Sequence, residues 1–141
     1  MLPPSQPDDV RQAATTLFLS GLQGLLAGDA ERWVNMWAED GTMEFPFAPE
    51  GLPRRLENKA AIRAHMRSLS GTLAFTRFSE PVIHQTLEPT VMLVEFSCEG
   101  RAVATGKPYH QDYVAVITTR DGLIQNYRDY WNPLVVQAAL R

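Results

Sequence analysis

From Asp8 onward, apolar residues recur at three- and four-residue steps. Val10, Ala14, Leu17, Phe18, Leu22, Leu25 and Leu26 fall on one face of a long helix ending near Gly28. Asp29 is placed to cap a second, shorter helix with Trp33, Val34, Met36 and Trp37 on its apolar side and Gly41 at its end. Thr42 to Phe47, short, apolar and bounded by Gly and Pro, reads as a strand leading into a Pro-rich loop from Ala48 to Arg55 that is a candidate lid. Asn58 then caps a third helix. Ile62, His65, Met66 and Leu69 share one of its faces until Ser70-Gly71 stops it, so His65 points where the apolar side chains point.

Beyond Gly71 the period changes to two. Phe75–Leu87, Thr90–Ala104, Tyr109–Arg120 and Leu123–Trp131 are four strand candidates rich in β-branched and aromatic residues, and Asp121-Gly122 is a tight hairpin signal. Residues 1–7 carry three prolines and no period, and are expected to form a flexible arm before a single domain over residues 8–141. The order predicts an α+β fold. Three helices pack in the concave face of a curved, mostly antiparallel sheet, giving a cone-shaped half-barrel whose unfilled mouth suits a small ligand.

Composition narrows the function classes. The 141 residues are 45% hydrophobic and 21% charged, an ordinary globular balance. Thirteen Lys and Arg against sixteen Asp and Glu give a net charge of −3, which argues against nucleic acid as a partner. No apolar run approaches the roughly 18 residues that span a bilayer, and one cysteine, Cys98, forms no internal disulfide. With no export signal, the expected location is cytoplasmic, away from membranes. His65, His84 and His110 lack metal-ligand spacing, no Gly-rich phosphate loop is present, and neither metal nor cofactor is expected.

Two stretches carry a family likeness. GDAERWVNMWAEDGTMEFP, from Gly28 to Pro46, and RDGLIQNYRDYWNP, from Arg120 to Pro133, resemble helix 2 into strand 1 and the last hairpin of the nuclear-transport-factor-2-like superfamily. That superfamily includes ketosteroid isomerase, scytalone dehydratase, SnoaL-type polyketide cyclases and the phenazine-biosynthesis A/B proteins. MEFPFAP and YRDYWNP look closest to the SnoaL-like and phenazine A/B-like branch. The resemblance supports the cone and leaves the reaction open, because such folds host enzymes, binding modules and adaptors. Where ketosteroid isomerase has its carboxylate base this chain has Phe45. The isomerase's tyrosine and partner acid fall near Gly21 and Val114, so chemistry by that residue set is excluded.

On the strand Tyr109–Ile117, residues 110, 112, 114 and 116 share one face and the odd-numbered residues the other. Both faces hold apolar residues, so alternation alone does not choose. The resemblance implies that His110 and Asp112 point into the cone beside His65, as an acid/base set of two imidazoles and a carboxylate. It also implies that Tyr127, Asp129 and Trp131 line the cone from the last strand, with Arg128 and Tyr130 outside. Val114, Phe45 and Trp37 complete the expected ligand-binding set, although Trp37 shares with Trp33 and Met36 the apolar face of a core helix. The expected function is cofactor-independent acid/base catalysis of isomerase, cyclase or dehydratase type on a carbonyl-containing cyclic or aromatic metabolite. The alternative is a non-catalytic small-molecule-binding or protein-adaptor member of the same fold. With odd-numbered Tyr113, Ala115 and Ile117 facing outward, the sheet would expose an apolar stripe, which predicts a homodimer through that face.

Overall fold

The computed structural model describes residues 5–141. The first four residues of the expected arm lie outside that range, and Pro7 already opens the first helix. The elements are α1 (Pro7–Leu26), α2 (Ala30–Val34), β1 (Trp37–Glu44), β2 (Arg55–Leu56), α3 (Lys59–Ser70), β3 (Leu73–Phe78), β4 (Val82–Gln85), β5 (Val91–Ala102), β6 (Pro108–Arg120), β7 (Leu123–Trp131) and α4 (Pro133–Leu140). The sheet runs β2-β1-β7-β6-β5-β3, and β4 also pairs with β5. Every ladder is antiparallel except β1–β7. This is the expected α+β cone: the curved sheet wraps a core in which Phe18 of α1, Trp33 of α2 and Ile62 of α3 meet Trp37, Phe96 and Tyr127 of the sheet.

Local chemistry explains most boundaries. The Asp29 side chain accepts from the Arg32 N–H and that of Asn58 from the Ala61 N–H, each capping its helix. Asp121 (φ 53°) and Gly122 (φ 81°) both adopt left-handed backbone, as a type I′ hairpin requires. The second helix is shorter than its apolar side suggests. It stops at Val34 because the Met36 carbonyl accepts from the Ile124 N–H at 2.7 Å, drawing the chain into the sheet, and Trp37 then pairs with Ile124. Gly41 is therefore a strand residue. A Cβ there would lie 2.8 Å from the Ile124 carbonyl oxygen, so the close β1–β7 approach demands glycine.

The predicted strand Phe75–Leu87 is two strands lying end to end along β5. β3 pairs with its second half and β4 with its first, and the break falls at Ser79–Pro81. Beyond Trp131 the structure adds α4, which no periodic argument had marked. Its signal is present as Asn132-Pro133: the Asn132 side chain accepts from the Leu134 N–H and Pro133 occupies the first turn.

The largest correction concerns β6. Tyr109, Gln111, Ala115, Ile117 and Thr119 are buried, whereas His110, Asp112 and Val114 are exposed on the outer face. A β-bulge in the partner strand decides which residues of β7 share each face with them. From the hairpin, Arg120 pairs with Leu123 and Thr119 with Ile124, but Thr118 then pairs with Asn126, leaving Gln125 as the extra residue. Without it, Val114 would face Asp129 and Asp112 would face Trp131. With it, Ala115 faces Asp129 and Tyr113 faces Trp131, and a one-residue slip exchanges the two faces. The odd-numbered stripe that suggested a homodimer through the outer face is accordingly interior.

Candidate functional site

Between the inner sheet face, α2 and α3, and closed at one end by α4, lies a cavity of about 290 Å³. Its wall is mainly apolar. Met66 and Leu69 contribute from α3, Phe96 from β5, and Val136 and Leu140 from α4. The Pro-rich loop supplies Leu52 and Pro53 to the lining. Arg54 holds that loop in shape by donating to the carbonyls of Pro46 and Ala48 at 2.9 and 3.1 Å.

Polar groups enter the cavity from three sides. Helix periodicity brings His65 to it, beside Phe45 with ring centroids 5.1 Å apart, and Phe45 in turn packs on Trp131 at 6.2 Å. Burial lowers the His65 pKa, because an imidazolium loses hydration there. From β7 come Tyr127, Asp129 and Trp131, alternating inward as expected, while Arg128 and Tyr130 lie on the other face, stacked at 5.5 Å. From β6 come Tyr109 and Tyr113.

Asp129 is the exceptional residue. It is 9% exposed, and its Oδ1 is buried without a hydrogen-bond partner. Burial alone pushes its pKa from 3.8 up to about 8. Among the described residues no cation and no hydrogen-bond donor offsets the desolvation. A structural carboxylate is ordinarily paired, so an unpaired one in a cavity marks a site where a ligand or a proton belongs. The Trp33 Nε1–H, on a side chain that also lines the cavity, is likewise unpartnered.

The expected set is thus divided. His65, Phe45, Tyr127, Asp129 and Trp131 line the cavity. His110 and Asp112 do not: their side chains are 59% and 86% exposed, and they face each other at 3.6 Å on the outer surface. Val114 shares that surface, and Trp37 is fully buried in the core, its Nε1–H donating to the Thr42 carbonyl. The residues missed are Tyr109, Tyr113 and Trp33. The first two lie two positions to either side of Gln111 on the face passed over, so parity was their only signal. Among the described residues no group of three or more His, Cys, Asp or Glu side chains is placed to hold a metal ion, and no helix is long and apolar enough to cross a membrane.

Known proteins match this arrangement. The family described as SnoaL-like domain matches residues 20–127. The uncharacterized protein YesE of Bacillus subtilis is 43% identical over 115 residues, covering 82% of this chain and 78% of that one. An uncharacterized PhzA/B-like protein of Pseudomonas aeruginosa is 39% identical over 121 residues, covering 86% and 85%. A solved Bacillus subtilis structure, provisionally assigned as an isomerase, superposes with a TM-score of 0.88 at 39% identity, covering 91% of this chain and 92% of that one.

Proposed function

This chain belongs to the SnoaL-like domain family, and from that premise we propose that it is a small isomerase- or cyclase-type enzyme. It moves protons on a neutral, carbonyl-containing cyclic or aromatic molecule held in the cavity, with Asp129 as base and His65 as second proton carrier. The observation that carries this reading is the buried, unpartnered Asp129 carboxyl in an apolar cavity, with its pKa near 8. The provisional isomerase assignment of the Bacillus subtilis relative supports the same class.

A carboxylate stripped of water is a far stronger base than one in solution. At a pH one unit below its pKa, about a tenth of the molecules carry the anion, enough for turnover. The Asp129 carboxylate takes a proton from the carbon next to the carbonyl, and the C–H electron pair moves onto the carbonyl oxygen as an enolate. The neutral Asp129 acid returns its proton at a second carbon, directly or by way of His65, which takes that proton from Asp129 and passes it on, and this completes an isomerisation. If the enolate carbon instead attacks an electrophilic carbon of the same molecule, a ring closes. Phe45, Trp131 and Phe96 hold a flat substrate and exclude water.

The test is exchange of α-protons for deuterium in a panel of cyclic enones and 1,3-diketones, followed by NMR. Wild type accelerates the exchange on at least one compound. Asp129→Asn lowers that rate by on the order of a hundredfold or more, and His65→Gln by about tenfold or more. Binding without exchange on every compound would return the protein to the role of a ligand carrier.

A further inference from the structure

Gln111 is fully buried at the centre of β6, and the orientation of its amide is dictated by backbone. Its Oε1 accepts from the Asn132 N–H at 3.0 Å and its Nε2 donates to the Asn132 carbonyl at 2.9 Å. The remaining Nε2 proton is directed to Tyr109 Oη at 3.3 Å. Tyr109 Oη is therefore an acceptor, and its own proton has Tyr113 Oη, 3.4 Å away, as its neighbour. Either phenol can be the donor across that contact; where Tyr109 donates, Tyr113 Oη accepts in turn, and its proton has two destinations. One is Cys98 Sγ at 3.5 Å, a buried thiol and a weak acceptor. The other is the cavity, which both phenols line.

We infer that Gln111, Tyr109 and Tyr113 form a one-way hydrogen-bond relay whose last proton, on Tyr113 Oη, is offered to the carbonyl oxygen of the bound molecule. Tyr113 is then a further catalytic residue, and Gln111 and Tyr109 are positioning residues. The inference rests on the acid/base reading above for its chemistry. Tyr113 faces Trp131 and Ala115 faces Asp129, so phenol and carboxyl are diagonal neighbours on one sheet face, with backbones on the order of 7 Å apart. That spacing lets a carbonyl oxygen meet the phenol while its α-carbon meets the carboxylate. As Asp129 takes the carbon proton, negative charge grows on the ligand oxygen, and Tyr113 stabilises it while keeping its own proton. Burial holds the Tyr113 pKa well above its ordinary value, so the phenol remains a donor. A chain of aligned donors strengthens each member, and the final O–H most usefully. The ligand class follows: a molecule with a neutral oxygen acceptor that gains charge during reaction.

The relay has a polarity that one isosteric change reverses. In Gln111→Glu the buried acid is protonated, its hydroxyl donates to the Asn132 carbonyl, and it has no proton left for Tyr109. Tyr109 then donates to the acid and Tyr113 donates to Tyr109, leaving nothing for the cavity, although both phenols remain. The probe is acetophenone with a 13C-labelled carbonyl, read by infrared spectroscopy in the cavity. In wild type its C=O stretch falls to lower frequency than in hexane. In Tyr113→Phe and in Gln111→Glu the frequency returns to the hexane value while acetophenone still binds, and α-proton exchange drops about tenfold or more with little change in KM. Asp129→Val retains the frequency shift while abolishing exchange. A shift that survives in Tyr113→Phe, or a wild type that shows no shift or takes up no acetophenone, overturns the relay. If Asp129→Val removes the shift and Tyr113→Phe keeps it, the acid/base reading stands and the relay falls. A shift that behaves as described without exchange on any compound leaves the relay standing and sinks the acid/base reading.

Discussion

Asp129 stores a conflict between stability and chemistry. Its folded pKa of about 8 lies above its ordinary 3.8, so between those two values the unfolded chain binds fewer protons than the folded one. Stability therefore falls as pH rises through this window, by up to about 1.4 kcal/mol per unit. The loss is absent below pH 4 and complete above pH 8. Asp129→Asn removes the titration. Its thermal midpoint is expected to exceed that of wild type at pH 8 and the gap to close near pH 4, as differential scanning calorimetry across that range will show. His65 acts in the opposite sense. Its pKa is lowered by burial, so the folded state resists protonation, and acidification below its ordinary 6.5 favours the unfolded chain. The same burial that makes these groups useful at neutral pH makes them costly at the two extremes.

At the scale of elements, the decisive feature is one residue of β7. Gln125 interrupts the β6–β7 ladder, and that interruption sets which β6 side chains share a face with Tyr127, Asp129 and Trp131. Deleting Gln125 makes Thr119–Ile124 and Thr118–Asn126 consecutive pairs and leaves every pair beyond them, and so both faces of β6, as they are. Such a chain is expected to retain a cooperative thermal transition followed by circular dichroism, as is Gln125→Ala, which keeps the backbone count. The second junction is between β7 and α4. Gln111 bonds both the N–H and the carbonyl of Asn132, so Gln111→Leu leaves that N–H without a partner and the carbonyl with the Val135 N–H at 3.2 Å alone. A loss of about 2–3 kcal/mol is expected from urea unfolding, with faster amide exchange in α4 than in α1.

The whole molecule leaves about 290 Å³ unfilled among mainly apolar side chains. An empty volume of this size costs on the order of several kcal/mol against a packed core, which is the signature of a space retained for a ligand. Val136, on the α4 wall of the cavity, packs against the cluster that holds Tyr109 and offers a helical position from which the space can be filled. Val136→Phe is expected to raise the thermal midpoint and to weaken acetophenone binding by about tenfold or more, measured by calorimetry and titration. The outer face contributes differently. His84–Glu95 at 2.6 Å and His110–Asp112 at 3.6 Å are half-exposed to exposed pairs in water, and pairs of that kind add little to stability.

Helix periodicity, capping residues and turn chemistry are local quantities, and they were legible without coordinates. Asn58 and Asp29 cap their helices, His65 shares the apolar side of α3, and Asp121-Gly122 turns the last hairpin. Tyr127, Asp129 and Trp131 reached the cone through alternation combined with family likeness. Other features depend on contacts between distant segments. The end of α2 at Val34 is decided by Ile124, some ninety residues away, and the division of the third strand region by the shared partner β5. Above all, alternation specifies that His110 and Gln111 face opposite ways but not which of them faces in, because β6 carries apolar residues on both sides. Which of them shares a face with Tyr127, Asp129 and Trp131 belongs to the register with β7, and one bulge at Gln125 makes that choice. The same holds for the charge on Asp129: its type and its strand are written in the chain, while the absence of any partner within reach is a property of the assembled cavity alone.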